Sequence, residues 1–96
     1  MEFEWDTNKN AKNIEKHGID FADAALIFDY PVLEYEDHRK DYGEKRFCAI
    51  GILNSLEITV AYTKRGHRIR LISARRAHDH ERWKYSSLYP PDFTQG

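Results

Sequence analysis

The sequence predicts a single α+β domain, in which two N-terminal helices cover one face of an antiparallel sheet and a C-terminal helix covers the other. Three strand-like segments, residues 46–53, 56–64 and 67–73, follow one another with only turn-prone dipeptides between them. Helical patterns lie at both ends of the chain, and 96 residues suit one domain with a modest core. We therefore expect one domain over residues 1–88, followed by a loose tail over residues 89–96.

The first two elements are predicted from alternation and from helix-capping residues. Phe3 and Trp5 alternate with acidic residues, which indicates a short strand. Asp6 is suited to cap a helix that runs to about His17, because its carboxylate can accept from free backbone N–H groups. Gly18 follows and is suited to the left-handed conformation that ends many helices.

A second helix and a strand are predicted next. Asp20 is suited to cap a helix over residues 21–28, whose apolar stripe would be buried, and Pro31 stops it. A strand over residues 32–35 and an acidic, turn-rich loop over residues 34–44 then lead to the three consecutive strands.

The three consecutive strands can be aligned from their turns. If residues 54–55 and 65–66 are both two-residue hairpin turns, Val60 lies opposite Leu71 on one side and Ala49 on the other. One face of the meander then becomes almost entirely apolar, and a shift of one residue would destroy that face. This self-consistency favours the antiparallel meander.

The predicted C-terminal helix covers residues 74–86 and begins within a cluster of positive charge. Ser73 is suited to cap it, which would place Arg75 and Arg76 in its first turn. Cations oppose the helix dipole at that end, so the placement favours a bound anion, which helix N-termini readily accept.

A dense run of positive charge occupies residues 62–77. No acidic residue lies between Glu57 and Asp79, whereas the whole chain has a net charge of -1. We therefore expect a polyanion or acidic partner to relieve the repulsion among these cations, and phosphate is the leading candidate. The run contains Lys64, Arg65, Arg68, Arg70, Arg75 and Arg76.

Several classes of protein and site are disfavoured. A single cysteine, Cys48, excludes an internal disulfide framework and fits a reducing cytoplasm. No apolar run approaches membrane-spanning length and the acidic N-terminus is no signal peptide, so we expect a cytoplasmic protein without a membrane partner. His78 and His80 lack the spacing of a helical ligand pair, so we expect no metal and no cofactor.

Four segments in the same order resemble the BrnT toxin family: residues 3–6 (FEWD), 16–28 (KHGIDFADAALIF), 43–47 (GEKRF) and 68–77 (RIRLISARRA). The resemblance implies a RelE-like fold and a metal-independent ribonuclease that cleaves RNA and arrests translation. It also implies a BrnA-like antitoxin partner that binds DNA and represses its own operon, so that the toxin meets DNA only indirectly. Such assemblies are heterotetramers of two toxins and two antitoxins.

Metal-free RNA cleavage requires deprotonation of the ribose 2′-hydroxyl, protonation of the leaving oxygen and stabilisation of charge on the phosphate. Arginine stays protonated, so the arginines are expected to clamp phosphate. His17 could be the acid or base, or a helix-end histidine bonded to a carbonyl, and Glu44 could be a base or pair with Arg46. Tyr62 would suit a RelE-like site, although the predicted register turns it toward the core. The candidate catalytic set is Arg46, Arg68, Arg70, His17, Glu44 and Tyr62.

A second set of residues is expected to bind RNA, either free or on the ribosome. Most of them are cations, and Tyr85 could stack on a base or simply pack. The set is Lys16, Arg65, Arg75, Arg76 and Tyr85. Two alternatives stay open: the fold could hold RNA without cleaving it, or serve mainly to dock a partner. A cleavage assay with and without ribosomes would distinguish these functions.

Overall fold

The computed structural model describes residues 1–90, which contain one five-stranded sheet with strand order β1-β5-β4-β3-β2. The strands are β1 (Glu2–Glu4), β2 (Leu33–Asp37), β3 (Arg46–Leu53), β4 (Leu56–Arg65) and β5 (Arg68–Arg76). The helices are α1 (Thr7–His17), α2 (Phe21–Ala24), which continues as a 3-10 helix (Ala25–Asp29), and α3 (Asp79–Leu88). The fold is therefore α+β, as predicted.

The sheet is mixed, so the prediction of a purely antiparallel sheet is wrong at one edge. β1 pairs with β5 in parallel, with Glu2 opposite Arg68 and Glu4 opposite Arg70. The strand has only three residues, and its alternation carries no information about which strand it joins. Parallel pairing needs a long crossover connection, which the helices and the other strands supply here.

The capping residues predicted for α1 are confirmed. The backbone N–H groups of Asn8 and Lys9 donate to Asp6 Oδ1 at 2.8 and 3.0 Å. At the other end Gly18 takes a φ of 71°, and its N–H donates to the Ile14 carbonyl at 2.8 Å. Local sequence therefore sets both ends of this helix.

The second predicted helix is present but changes type along its length. Asp20 caps α2 by accepting from the Ala22 N–H at 3.0 Å, and the chain then tightens into the 3-10 helix. This 3-10 helix lies against β3, because a Cβ built on Gly51 would come within 2.8 Å of the Ile27 Cβ. A glycine in β3 thus allows the close approach of helix and sheet.

The β3–β4 register is confirmed, with Ala49 opposite Val60. The β4–β5 register differs from the prediction by two positions near the turn, where Leu71 lies opposite Tyr62, and by three beyond a bulge, where Ala74 lies opposite Val60. The turn lies at residues 66–67, one residue later than predicted. A shift of two keeps each side chain on its face and the bulge takes up the odd residue, so Val60 and Leu71 still belong to one buried cluster.

The predicted start of the C-terminal helix is wrong. β5 continues through Arg75 and Arg76, which pair with Thr59 and Ile58 of β4, and α3 begins only at Asp79 with His78 as its cap. The strand thus continues past residue 73, where it was predicted to end, and its ladder with β4 contains a bulge between Ala61 and Tyr62. Arg75 and Arg76 therefore lie on a strand, where consecutive side chains point to opposite faces.

Two buried clusters contact the sheet. The larger contains Phe21, Ala24 and Ile27 together with Ala49 and further strand residues. The smaller joins Tyr85 and Ala77 to Ile50 and the partly buried Leu33. Ala49 and Ile50 are consecutive in β3, so their side chains point to opposite faces of the sheet.

No helix in residues 1–90 is long and apolar enough to cross a membrane. The predicted tail begins at residue 89, and its residues 91–96 lie outside the described part of the chain. Tyr89 itself packs beside Tyr85, with ring centroids 5.1 Å apart.

Candidate functional site

The arginines at the start of β5 have acidic partners, contrary to the expectation of a cationic run without counter-ions. Arg70 Nη1 donates to Glu4 Oε2 at 2.8 Å, and Arg68 Nε donates to Glu2 Oε2 at 3.3 Å. The hydrogen bond from Arg70 lowers the pKa of Glu4. The acids come from β1, whose parallel pairing places them beside β5.

The cations of the β4–β5 hairpin are paired as well. Lys64 Nζ lies 3.5 Å from Glu34 Oε1, and Arg65 Nη2 lies 3.4 Å from Glu44 Oε1. Glu44 therefore pairs with Arg65, whereas the sequence had suggested Arg46 as its partner. Because both pairs are well exposed, each contributes little to stability, about 1 kcal/mol or less.

Arg75 belongs to a largely buried polar cluster that the sequence analysis missed. Its Nη1 and Nη2 donate to Glu81 Oε1 and Oε2 at 2.7 and 3.2 Å, and the Tyr35 hydroxyl donates to Glu81 Oε2 at 2.9 Å. The His78 N–H donates to Glu81 Oε1 at 2.8 Å. Glu81 is only 3% exposed. Arg75 lies near the end of β5 and Glu81 in the first turn of α3, six residues later. The pair can be recognised in the sequence only once these two element boundaries are known.

Burial and the contacts within the Glu81 cluster shift the pKa values of Glu81 and Tyr35 in opposite directions. Burial alone would raise the pKa of Glu81, but hydrogen bonds from Arg75, the His78 backbone and Tyr35 outweigh it and lower the pKa to about 2. Burial, followed by the hydrogen bond to Glu81, raises the pKa of Tyr35. Glu81 is therefore an anion that holds Arg75 in place at neutral pH.

A cleft of about 470 Å³ opens beside this cluster. Burial raises the pKa of the Cys48 thiol on its wall, which makes this thiol a poor nucleophile. The cleft is lined by Tyr35, Asp37, Cys48, Arg75, His78 and His80, among others. Over residues 1–90, no three His, Cys, Asp or Glu side chains are grouped so as to hold a metal ion.

Arg46 differs from Arg68, Arg70 and Arg75 because it has no acidic partner in the described part of the chain. Its guanidinium carbon lies 4.1 Å from the centre of the Tyr42 ring. Asp37 is opposite Arg46 in the β2–β3 ladder, but its carboxylate is bonded to Arg39 and to the Tyr42 hydroxyl. The buried Nε of Arg46 also lacks a hydrogen-bond partner within residues 1–90.

Arg46 and Arg70 flank Thr63 in one row across the sheet. Thr63 is paired with Arg70, and it lies one position beyond the Phe47–Tyr62 pair, beside Arg46. Neighbouring strands are about 4.8 Å apart, so the two arginine backbones are separated by about 10 Å. The row therefore places two arginines on the strands that flank a small polar residue.

His17 lies at the end of α1, in a shallow groove between that helix and β5. Partial burial, and then the positive charges of Lys16 and Arg75, lower the pKa of His17. Its imidazole is therefore mostly neutral at pH 7 and able to accept a proton.

Three other candidates lie away from that row. Arg76 lines a groove with Gly18 and Asp23, next to the N-terminal helices. Tyr62 is fully buried, and its hydroxyl donates to Glu34. Tyr85 is 7% exposed and donates to the Pro31 carbonyl at 3.1 Å, which matches the packing alternative rather than base stacking.

A family model described as "Ribonuclease toxin, BrnT, of type II toxin-antitoxin system" matches residues 5–81. This chain belongs to the BrnT family. The match includes every candidate site residue except Tyr85. A crystal structure of the Brucella abortus ribonuclease toxin BrnT is similar, with 32% identity and a TM-score of 0.61. The similarity covers 82% of this chain and 99% of that one, and the search of curated proteins gave no match.

The BrnT family assignment agrees with the resemblance expected from the sequence. It makes the chain a ribonuclease toxin of a type II toxin-antitoxin system, and such a toxin has an antitoxin partner. Since the family model reaches Glu81, it takes in the whole Arg75–Glu81 pair.

Proposed function

We propose that this BrnT-family chain is a metal-independent endoribonuclease that cleaves RNA, arrests translation and is neutralised by a BrnA-like antitoxin. The proposal includes a RelE-like arrangement of helices on both faces of the sheet, supported by buried clusters at Ala49 and at Ile50. The observation that carries the proposal is Arg46, an ordered guanidinium without a carboxylate partner in residues 1–90. A phosphate is the group that would complete its charge.

The phosphate is proposed to lie over the row formed by Arg46, Thr63 and Arg70. Arg70 uses one nitrogen for Glu4, which leaves other N–H groups of its fork for an incoming anion. Arg68 lies two residues before Arg70 in β5, where its positive charge attracts the RNA backbone. Guanidinium groups cannot exchange protons at neutral pH, so these arginines stabilise charge in the transition state.

Proton transfer is assigned to His17 and Glu44. The ribose 2′-oxygen attacks the adjacent phosphorus as a base takes its proton, and an acid protonates the departing 5′-oxygen. His17 is mostly neutral and can accept a proton, while Glu44 is tied to Arg65 by an exposed pair that can open. Tyr62 is assigned a supporting role in the core, because its ring stacks on Phe47, the residue that follows Arg46 in β3.

The remaining cations are assigned to the RNA backbone. Lys16 and Arg65 are exposed and can reach phosphates. Arg75 is held in position by its hydrogen bonds to Glu81. Arg76 would contact RNA only if the RNA passed across the opposite face of β5. Tyr85 would act indirectly, by packing α3 against Pro31.

The antitoxin is proposed to be BrnA-like, in an assembly of two toxins and two antitoxins that contacts DNA through the antitoxin alone. An acidic segment laid over Arg46 and Arg70 would exclude phosphate, so inhibition would follow from competition for one surface. Because exposed charges are screened over about 8–10 Å at physiological salt, antitoxin association should slow as salt rises.

The decisive experiment is RNA cleavage by the purified toxin in excess chelator, with and without ribosomes. We expect cleavage that survives chelation. Arg46→Ala and Arg70→Ala should each lower it about 10- to 150-fold, since each loses a charge-assisted contact of roughly 1.5–3 kcal/mol. Arg82→Ala is the matched control, because Arg82 pairs with Asp79 on α3. Circular dichroism should show that all three variants stay folded.

Three results would contradict this function. Loss of activity on chelation would rule out metal independence. RNA binding without cleavage, on or off the ribosome, would identify a non-catalytic RNA-binding module. If the chain bound its antitoxin but neither bound nor cleaved RNA, it would be a partner-docking protein.

A further inference from the structure

Within residues 1–90 the lysines of α1 lack acidic partners, in contrast to Arg68, Arg70 and Arg75 of β5. Lys9, Lys12 and Lys16 are all exposed, and none lies within salt-bridge distance of a carboxylate in the described residues. The dense cationic run of the sequence is largely neutralised by Glu2, Glu4 and other acids. Uncompensated charge therefore concentrates on a helix outside that run.

The three lysines form a row on one side of α1. Their spacing of three and four residues places them next to one another on the helix surface. At 1.5 Å per residue, the seven residues from Lys9 to Lys16 span about 10 Å along the axis. Glu15 is also on α1 and exposed, but it makes no ion pair with these lysines.

The row borders a shallow groove of about 270 Å³ between α1 and the bulged part of β5. The groove floor includes Ile72, Ser73 and the buried Asn13. Asn13 fixes the helix to the strand, because its Nδ2 donates to the Ala74 carbonyl at 3.0 Å and its Oδ1 accepts from the Ala74 N–H at 3.0 Å. The lysines therefore project from a rigid platform.

The lysine row runs alongside the middle of β5. Lys9, Lys12 and Lys16 line one groove together with Ile72 and Ser73, which lie between Arg70 and Arg75 in that strand. A strand of RNA held on this row would therefore pass beside the arginine-bearing part of β5.

We propose that Lys9, Lys12 and Lys16 form an accessory site for the phosphate backbone of single-stranded RNA, along the groove between α1 and β5. This inference rests on the ribonuclease function proposed above. One stacked strand carries about one negative charge per 3.4 Å of its axis, so a row of about 10 Å runs past about three phosphates. An acidic protein segment fits less well, because protein interfaces bury apolar and aromatic anchors, and Ile72 is the apolar side chain of this groove.

The test is the salt dependence of binding between the full chain and a short, uncleavable fluorescein-labelled RNA with 2′-methoxy groups. Each phosphate contact to a single strand contributes about 0.7 to the slope of log affinity against log salt. The triple variant Lys9→Gln/Lys12→Gln/Lys16→Gln should therefore reduce that slope by about 2 and weaken binding about 100-fold at 0.1 M salt. Lys9→Arg/Lys12→Arg/Lys16→Arg should keep both values.

A second variant controls for net charge. Lys40→Gln/Arg82→Gln/Lys84→Gln removes three cations from outside α1, and it should change the slope by less than half as much. An unchanged slope in the α1 glutamine variant, an equal loss in this control, or failure of the arginine variant to retain affinity would each overturn the inference. Lysine-dependent binding of polyglutamate without binding of RNA would also overturn it, in favour of a protein partner.

The two proposals fail separately. If the wild-type chain cleaves RNA in chelator but the α1 variant keeps its salt slope, the accessory site is wrong and the ribonuclease function stands. If the wild-type chain binds RNA through the lysines but never cleaves it, the accessory site stands and the cleavage mechanism is wrong.

Discussion

At the scale of single residues, the neighbours of each arginine decide what it can do. Arg70 and Arg75 carry the same charge, but Arg70 pairs with a partly exposed acid whereas Arg75 pairs with an acid only 3% exposed. Arg46 instead rests on the Tyr42 ring and has no acidic partner within residues 1–90. Equal charges in the sequence thus become a surface pair, a structural pair and, at Arg46, a guanidinium that we propose binds phosphate.

Replacing Glu81 by glutamine should destabilise the fold by about 2–4 kcal/mol, because Arg75 loses its partner in a largely buried place. The pKa of Glu81 in the folded chain is about 2, below its ordinary value of 4.5. Its contribution to stability is therefore complete above pH about 5 and is lost as pH falls toward 2. Urea unfolding of Glu81→Gln should lack that part of the acid sensitivity.

The control for this variant is Glu15→Gln, because Glu15 is exposed and forms no salt bridge in the described residues. Its free energy of unfolding, measured in urea, should stay within about 0.5 kcal/mol of wild type at every pH. Equal stability losses in the two variants would show that the Glu81 cluster adds nothing specific.

At the scale of elements, α1 closes a strand edge that no other strand within residues 1–90 covers. β1 pairs with β5 only as far as Arg70, which leaves the backbone of the later residues free on that side. The amide of Asn13 pairs with both the N–H and the carbonyl of Ala74, as a neighbouring strand would. A single side chain thus satisfies buried backbone groups and anchors the lysine row.

Asn13→Ala should leave these groups of Ala74 unpaired and destabilise the fold by about 2–4 kcal/mol. The same change should speed amide hydrogen exchange at Ala74 more than at Val60, its partner in β4. Asn8→Ala provides the comparison, since Asn8 is exposed on the same helix and only its backbone joins the Asp6 cap. Unchanged exchange at Ala74 would show that the strand edge is held by other contacts.

At the scale of the whole molecule, acids and bases distant in sequence neutralise one another. The net charge is -1, and β1, β2 and α3 each supply acids to the cations of β4 and β5. A chain with an uncompensated cationic run should gain stability as salt screens the repulsion. In this fold salt should instead weaken attractions between elements.

Raising sodium chloride from about 0.02 to 0.5 M should therefore lower the melting temperature by about 2–5 °C, since the exposed pairs together contribute about 1 kcal/mol. Glu4→Gln should reduce or reverse this effect, because Arg68 and Arg70 then lose an acid that both contact. Thermal unfolding followed by circular dichroism measures both quantities. A rise of several degrees in the wild type would mean that repulsion dominates after all.

The sequence alone determined the features that depend on neighbouring residues. Asp6 and Gly18 end α1 through hydrogen bonds made within a few residues, and the β3–β4 register follows from a two-residue turn and the alternation around it. Four short segments were enough to indicate the BrnT family. Most of the candidate cations were also identified, because charge density can be read directly from the chain.

Only the tertiary structure decided which of those cations are neutralised. Arg70 meets Glu4 across 66 residues of chain, and Asn13 meets Ala74 across 61. Neither contact leaves a local pattern, because each forms only after the sheet has brought distant segments together. Pairing with β4 extends β5 to Arg76, and that extension places Arg75 beside Glu81 rather than at the start of a helix. Within residues 1–90, the cations left without an acidic partner therefore include Arg46 and the lysines of α1, whereas Arg68, Arg70 and Arg75 are paired.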